Sequence, residues 1–271
     1  MKWNGLTTSA GALLLATLLS ACGSAETPAQ KPAAAASDAP KAGGKFVAEY
    51  GKATTDVATE GLELLRSGKT LEGFASTLNE TLTLPHDVTL AGAQCDEVNA
   101  YYSPDEKKIT MCYELVVDGF TRYEDKAETE EENNEHGQAN LVDTLFHELG
   151  HAVIDIYDLP ALGKEDDAAD QLSAFLMAQG EDDSSSVQTI NYYFDSANDQ
   201  DRAELPFYDE HSMDEQRAFN YMCWIYGSDP KAYADWVGPD GLPENRADRC
   251  PGEYEKLSNA WSKLLEPHFK D

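Results

Sequence analysis

The chain has 271 residues, 41% of them hydrophobic, enough to bury one substantial core or two small ones. Its 50 acidic residues against 20 basic ones leave a formal net charge of -30. That excess argues against nucleic acid and anionic membrane surfaces as partners, since both would repel it.

The first residues read as a targeting segment. Met1-Lys2-Trp3 is a short basic start, and the apolar stretch from Ala10 to Ala21 is too short to span a bilayer, so residues 1–21 are expected to be a signal peptide. The stretch ends in Leu19-Ser20-Ala21-Cys22, which resembles the bacterial lipobox. That resemblance implies lipidation of Cys22 and a membrane contact made through N-terminal lipid only; an ordinary signal peptide with a chance cysteine is the alternative. Gly23 and Ser24 follow, with no Asp at the second position, which implies the outer membrane if the source is Gram-negative. The segment that runs on to Gly44, GSAETPAQKPAAAASDAPKAGG, has almost no large apolar residue and cannot fold by burial. Residues 22–44 are therefore expected to be a tether, with one folded domain over 45–271. No later apolar run is long enough to span.

Within the domain, Phe46 to Tyr50 suits a short strand, and Thr54 to Arg66 and Leu71 to Leu78 carry helical spacing. Thr81 to Leu90 and Ile109 to Val117 read as strands, the latter pairing with Val98 to Tyr102 across the turn signal Ser103-Pro104-Asp105. The acid-rich run Glu124 to Glu135 lacks an ordered glycine-containing ligand loop, so it suits a solvated loop or helix face better than a calcium site. Helices are expected at about Gln138 to Tyr157, Asp166 to Gln179, Met213 to Tyr226 and Pro251 to Leu265. A small β-sheet followed by helices is an α+β pattern.

Besides Cys22 there are four cysteines: Cys95, Cys112, Cys223 and Cys250. In an exported chain they suggest two disulfides, and nearness in sequence favours Cys95–Cys112 and Cys223–Cys250 among the three possible pairings. No Cys-x-x-Cys spacing supports a zinc cluster of the four.

The chemistry concentrates in TLFHELGHAVID, from Thr144 to Asp155. On a helix His147 and His151 share one face, so two imidazoles can meet one tetrahedral ion. Glu148 lies close enough to reach a water there without ligating, which is the His-Glu-x-x-His arrangement of zinc hydrolases. Apolar neighbours surround the motif on nearly every side, and buried histidines and a glutamate are costly unless paired or metal-bound. Core histidines satisfied by carbonyls are the alternative. Gly150 makes sense if another backbone or the ion comes close.

His147-Glu-Leu-Gly-His151-Ala-Val-Ile-Asp155 is similar to the thermolysin-like gluzincin helix. Together with CYEL at Cys112, LP-x-LG, EDDAADQ, DEHSMDEQR at Asp209 and CWIYGSDP at Cys223, it looks like a bacterial family of metallopeptidases classed as a domain of unknown function. The resemblance covers roughly Phe46 to His268 and implies a zincin-like core with Zn²⁺. Gluzincins take their third ligand from a Glu-x-x-x-Asp element whose Asp orients a ligand histidine. Here the pattern falls on Asp166 to Asp170, with Asp166 where the family usually has Glu. Asp166 is the expected ligand and Asp170 the orienting carboxylate; Glu165 is the alternative ligand, and otherwise Glu165 and Asp167 suit the helix dipole. The resemblance makes His211 a candidate to stabilise the oxyanion, while a place near a helix N-cap beside Ser212 would also explain it. Tyr208 and Arg217 are weaker candidates, and Asn99-Ala-Tyr-Tyr102 could be an edge strand that pairs with a peptide.

These observations lead to an expected exported, lipid-anchored zinc metallopeptidase acting on peptide or protein, with Glu148 as general base. The rivals are a binding or scaffold lipoprotein with a structural metal, and a zinc hydrolase of another amide.

Overall fold

The computed structural model describes residues 43–124, 127, 129–180, 184–198, 200–201, 205 and 207–270. The expected signal peptide, Cys22 and most of the expected tether lie outside the described residues. The chain is already pinned at Gly43 and Gly44, whose N–H groups both donate to Leu84 O.

The fold is α+β. Strand β1 (Phe46–Tyr50) is followed by helices α1 (Asp56–Gly68) and α2 (Thr70–Thr81), then by β2 (Val88–Ala93), β3 (Ala100–Ser103) and β4 (Lys108–Cys112). The four strands lie in the order β1-β2-β4-β3. β1 and β4 both run parallel to β2, with Phe46 opposite Val88 and Leu90 opposite Ile109, whereas β3 pairs antiparallel with β4. The β3–β4 hairpin is the expected one, and it leaves β3 as an edge strand. Cys95–Cys112 ties the end of β4 to the β2–β3 connection.

Two expected strands are corrected. Thr81 ends α2, and the next residues make only isolated bridges, Leu82 with Phe269 and Leu84 with Gly44, before the true strand starts at Val88. Pro85, which has no N–H to give a ladder, separates the two stretches. The run from Ile109 stops being strand after Cys112, and Tyr113–Thr121 forms helix α3. Tyr113, Val116 and Val117 are buried at helical spacing, but a run that is apolar save for Thr110 and Glu114 hides the change of period.

The remaining helices carry the site. Helix α4 (Glu130–Ile156) has 27 residues and starts where the Thr129 side chain accepts from Glu132 N. Glu130, Glu131 and Glu132 fill its first turn, where the dipole favours negative charge, so much of the acid-rich run is helix. From His136 onward α4 is buried on almost all sides. Helix α5 (Glu165–Met177) packs antiparallel to it: His151 meets Glu165 and Asp166, His147 meets Asp170, and Asp143 meets Ser173. Helix α6 (Ser184–Asn198) is an element absent from the sequence expectation. It buries Ser186, Thr189, Ile190 and Tyr193, a helical stripe half made of polar residues. Helices α7 (Asp214–Ser228), α8 (Glu244–Ala247) and α9 (Cys250–Leu265) complete the domain, and Cys223–Cys250 staples α7 to α9. The last residues return to the segment after α2: Thr83 N donates to His268 O, and Lys270 N to Thr81 O.

Among the described residues no helix is long and apolar enough to cross a membrane. The two disulfides fit an oxidising compartment outside the cytoplasm.

Candidate metal centre

The site is built where α4 and α5 come closest. A Cβ on Gly150 would sit 2.7 Å from Ala169 Cα, so only glycine permits this approach. Gly150 admits the α5 backbone at the level where one helix carries His147 and His151 and the other carries Asp166 and Asp170.

His147 Nδ1 lies 2.8 Å from Asp170 Oδ1, and His151 Nδ1 lies 2.8 Å from Glu165 Oε1. His211, on the loop before α7, repeats the arrangement with its Nδ1 3.1 Å from Asp209 Oδ1. In neutral rings that donate Nδ1–H to these carboxylates, every Nε2 carries a lone pair. The His147 and His151 Nε2 atoms are 3.3 Å apart, and both face Asp166 Oδ1, at 4.0 and 3.6 Å. His211 Nε2 is 3.2 Å from the same oxygen. His147, Asp166 and His211 together form a group able to hold a metal ion.

Lone pairs gathered this closely repel unless a cation or a proton lies between them. Ligand bonds of about 2.0–2.1 Å in a tetrahedral zinc site put neighbouring donors about 3.3–3.4 Å apart. Three of the four separations above fall near that value, and the set of three imidazoles and a carboxylate has the chemistry zinc prefers. The residues therefore fit a zinc ion. A proton on His151 Nε2 relieves the same crowding in place of the ion. Hydrogen bonding with His151 lowers the Asp166 pKa to about 2, against the opposing effect of its burial. Burial opposes charge on His151, yet its bonds to Asp166 and Glu165 and the nearby Glu148 carry its pKa up to about 9.

Glu148 is 5% exposed and lines two adjoining spaces. One is an open cleft of about 500 Å³ bordered by Ala100, Tyr101 and Tyr102 of β3 and by His151, Lys164 and Glu210. The other is a cavity of about 130 Å³ bordered by Asn140, Thr144, Tyr192, Tyr193 and Arg217. Burial raises the Glu148 pKa, opposed by the three histidines.

The structure thus brings Glu148, His147, His151, Asp166, Asp170 and His211 to one place. It sets the edge strand from Ala100 to Tyr102 along the cleft, as expected for Asn99 to Tyr102. Glu165 and Asp167 stand in the first turn of α5, as expected for charges that suit the helix dipole; Glu165 also holds His151, and Asp167 accepts from Ser212 Oγ at 2.7 Å. Tyr208 is 92% exposed. Arg217 binds Asp170 through both Nε and Nη2, at 2.9 and 2.7 Å, and so lies behind His147. Four participants went unread in the sequence. Lys164 Nζ donates to Asp209 O and His211 O, clasping the His211 loop to the start of α5. Asp143, Tyr193 and Tyr221 form a buried polar group behind Asp170. Asp143 stands four residues before His147 on the same helical face, and that spacing was the available signal.

A sheet with an edge strand lies beside a two-histidine helix that faces a carboxylate from the next helix, and together they form a candidate metal centre at the floor of an open cleft. The chain belongs to the DUF4344 family, described as "Putative metallopeptidase", which matches residues 50–265. That membership implies a metal ion and peptide substrates. No curated protein and no solved structure matches the chain.

Proposed function

We propose that the protein is a zinc-dependent metallopeptidase of the gluzincin type, exported behind the signal peptide of residues 1–21 and anchored to the cell envelope through lipid on Cys22 and the tether of residues 22–44. The observation that carries the activity is the convergence of three Nε2 atoms on Asp166 Oδ1, each ring held from behind by its own carboxylate. His147, His151 and Asp166 hold Zn²⁺, and Asp170 and Glu165 keep the two ligand rings in place. When bound, zinc supplies a Lewis acid that acidifies water and polarises the peptide carbonyl.

The chain's own groups do the rest. A peptide lies in the cleft along β3, whose free edge can pair with an extended backbone. Glu148, raised in pKa by burial, takes a proton from the attacking water on its carboxylate and returns it to the leaving amine nitrogen. His211, in the doubly protonated form that has two N–H groups, gives one to Asp209 and donates the other to the carbonyl oxygen as that oxygen gains charge.

The test is Glu148→Gln. It should leave zinc at about one per chain and lower peptide hydrolysis by about 10²–10⁴-fold. Full hydrolysis by that variant would refute the mechanism. A second reading rests on the 3.2 Å separation of His211 Nε2 and Asp166 Oδ1. There His211 is a fourth metal ligand and the ion is structural. His211→Ala separates the two, since a catalytic His211 costs turnover with zinc retained, and a ligating one costs the zinc.

A further inference from the structure

One buried carboxylate takes no part in the reaction above. Asp143 is 3% exposed and accepts three hydroxyl hydrogen bonds from three different helices. Ser173 Oγ of α5 and the Tyr221 hydroxyl of α7 donate to Oδ1, at 2.6 and 2.7 Å, and the Tyr193 hydroxyl of α6 donates to Oδ2 at 2.8 Å. Three donors suit the ionised carboxylate, which only accepts.

The Tyr221 hydroxyl also lies 3.3 Å from Asp170 Oδ1, the oxygen that already takes His147 Nδ1–H and Arg217 Nη2–H. A phenol has a single hydrogen to donate. The shorter contact puts it on Asp143, so Tyr221 turns oxygen, not hydrogen, toward Asp170. A further donor on Asp170 Oδ1 would disperse its charge. The bond to His147 Nδ1–H would weaken, and with it the basicity of the Nε2 that faces the metal position.

We propose that Asp143 is a positioning residue for the metal centre: by holding the Tyr221 proton it keeps Asp170 a full-strength acceptor for His147. The proposal rests on the reading of His147 as a metal ligand. It also explains why a second acid is kept fully buried beside Asp170, an arrangement that burial and like charge both oppose.

The experiment is a double-mutant cycle read by zinc affinity, using competition with a chromophoric chelator, on the wild-type chain, Asp143→Asn, Tyr221→Phe and the double variant. In Asp143→Asn the neutral amide is the weaker acceptor, the Tyr221 proton turns to Asp170, and zinc binding weakens about 10-fold. Tyr221→Phe removes the proton and stays within about two-fold of wild type, and the double variant recovers to that same level. A loss in the double variant as large as in Asp143→Asn assigns the effect to charge or packing and overturns the proposal. Should Asp143→Asn fail to fold by circular dichroism, Tyr221→Phe decides: unchanged affinity supports the proposal, and a roughly 10-fold change in either direction overturns it. If the wild-type chain binds no zinc, the metal reading falls, and this proposal falls with it.

Discussion

Glu165 occupies a helix start, where any acid is favoured, yet its carboxylate is drawn onto His151 Nδ1 at 2.8 Å. Its neighbour Asp166 turns the other way, toward the Nε2 atoms. Adjacent acids therefore have different consequences when removed. Asp166→Ala should lose zinc outright, and Asp170→Ala and Glu165→Ala should each weaken it by about 10- to 100-fold in chelator competition. Zinc retained without Asp166 but lost without Glu165 would shift the ligand by one residue. The four-residue spacing made His147 and His151 legible on the bare sequence. Which of three consecutive acids faces them depends on the rotation of α5 about its axis, and only the packed helices fix that. Asp155, at the far end of α4, gives a pH-dependent contribution. Burial opposes its charge, but hydrogen bonds from Lys107 Nζ and the Tyr102 hydroxyl hold its carboxyl below the ordinary range. A lowered carboxyl pKa stabilises the fold above about pH 3.9 and ceases to do so as pH falls through the folded value. Asp155→Asn should cost about 1 kcal/mol in urea unfolding at neutral pH, a discounted figure for a half-buried pair. The gap to wild type should narrow as pH falls below the unfolded value and close once it passes the lowered folded one; a gap that is constant with pH would contradict this origin.

At the scale of elements, the contact between α4 and α5 is set by a missing side chain. Gly150→Ala would drive a methyl against Ala169 Cα, backbone that cannot rotate aside. The helices should separate slightly, at a cost of about 1–3 kcal/mol in thermal or urea unfolding. Zinc affinity should fall in parallel, because the two ligand-bearing faces part. Unchanged affinity in a destabilised Gly150→Ala chain would mean that the centre tolerates the shift. Gly150 was readable as a point of close approach, whereas other elements resisted the same reasoning. Helix α6 hides because Ser186 and Thr189 hold core positions, so a stripe scored by apolar residues shows gaps. The start of α3 hides for the opposite reason, since Met111 to Val117 is apolar but for Glu114 and fits either period. Parallel pairing of β1 with β2 joins strands separated by two helices, and local spacing carries no trace of that partnership.

The whole molecule carries far more negative than positive charge, and the folded state holds those charges closer together than the unfolded chain does. Raising ionic strength from about 0.01 M to 0.15 M shortens the screening length from about 30 Å to 8 Å and should raise the melting temperature. A melting temperature that falls with salt would place the balance on attractive pairs instead. The segment from Thr81 to Leu84 is where the fold closes on itself, with Gly43 and Gly44 bonded at Leu84 and His268 and Lys270 bonded at Thr83 and Thr81. Both ends of the domain are thus moored to four consecutive residues, within reach of a short Gly-Ser bridge. The order of the elements along the chain is then separable from their arrangement in space. A gene that joins 270 to 43 and opens instead at Gly163, where a side chain would meet nothing within 4 Å, should still encode this fold.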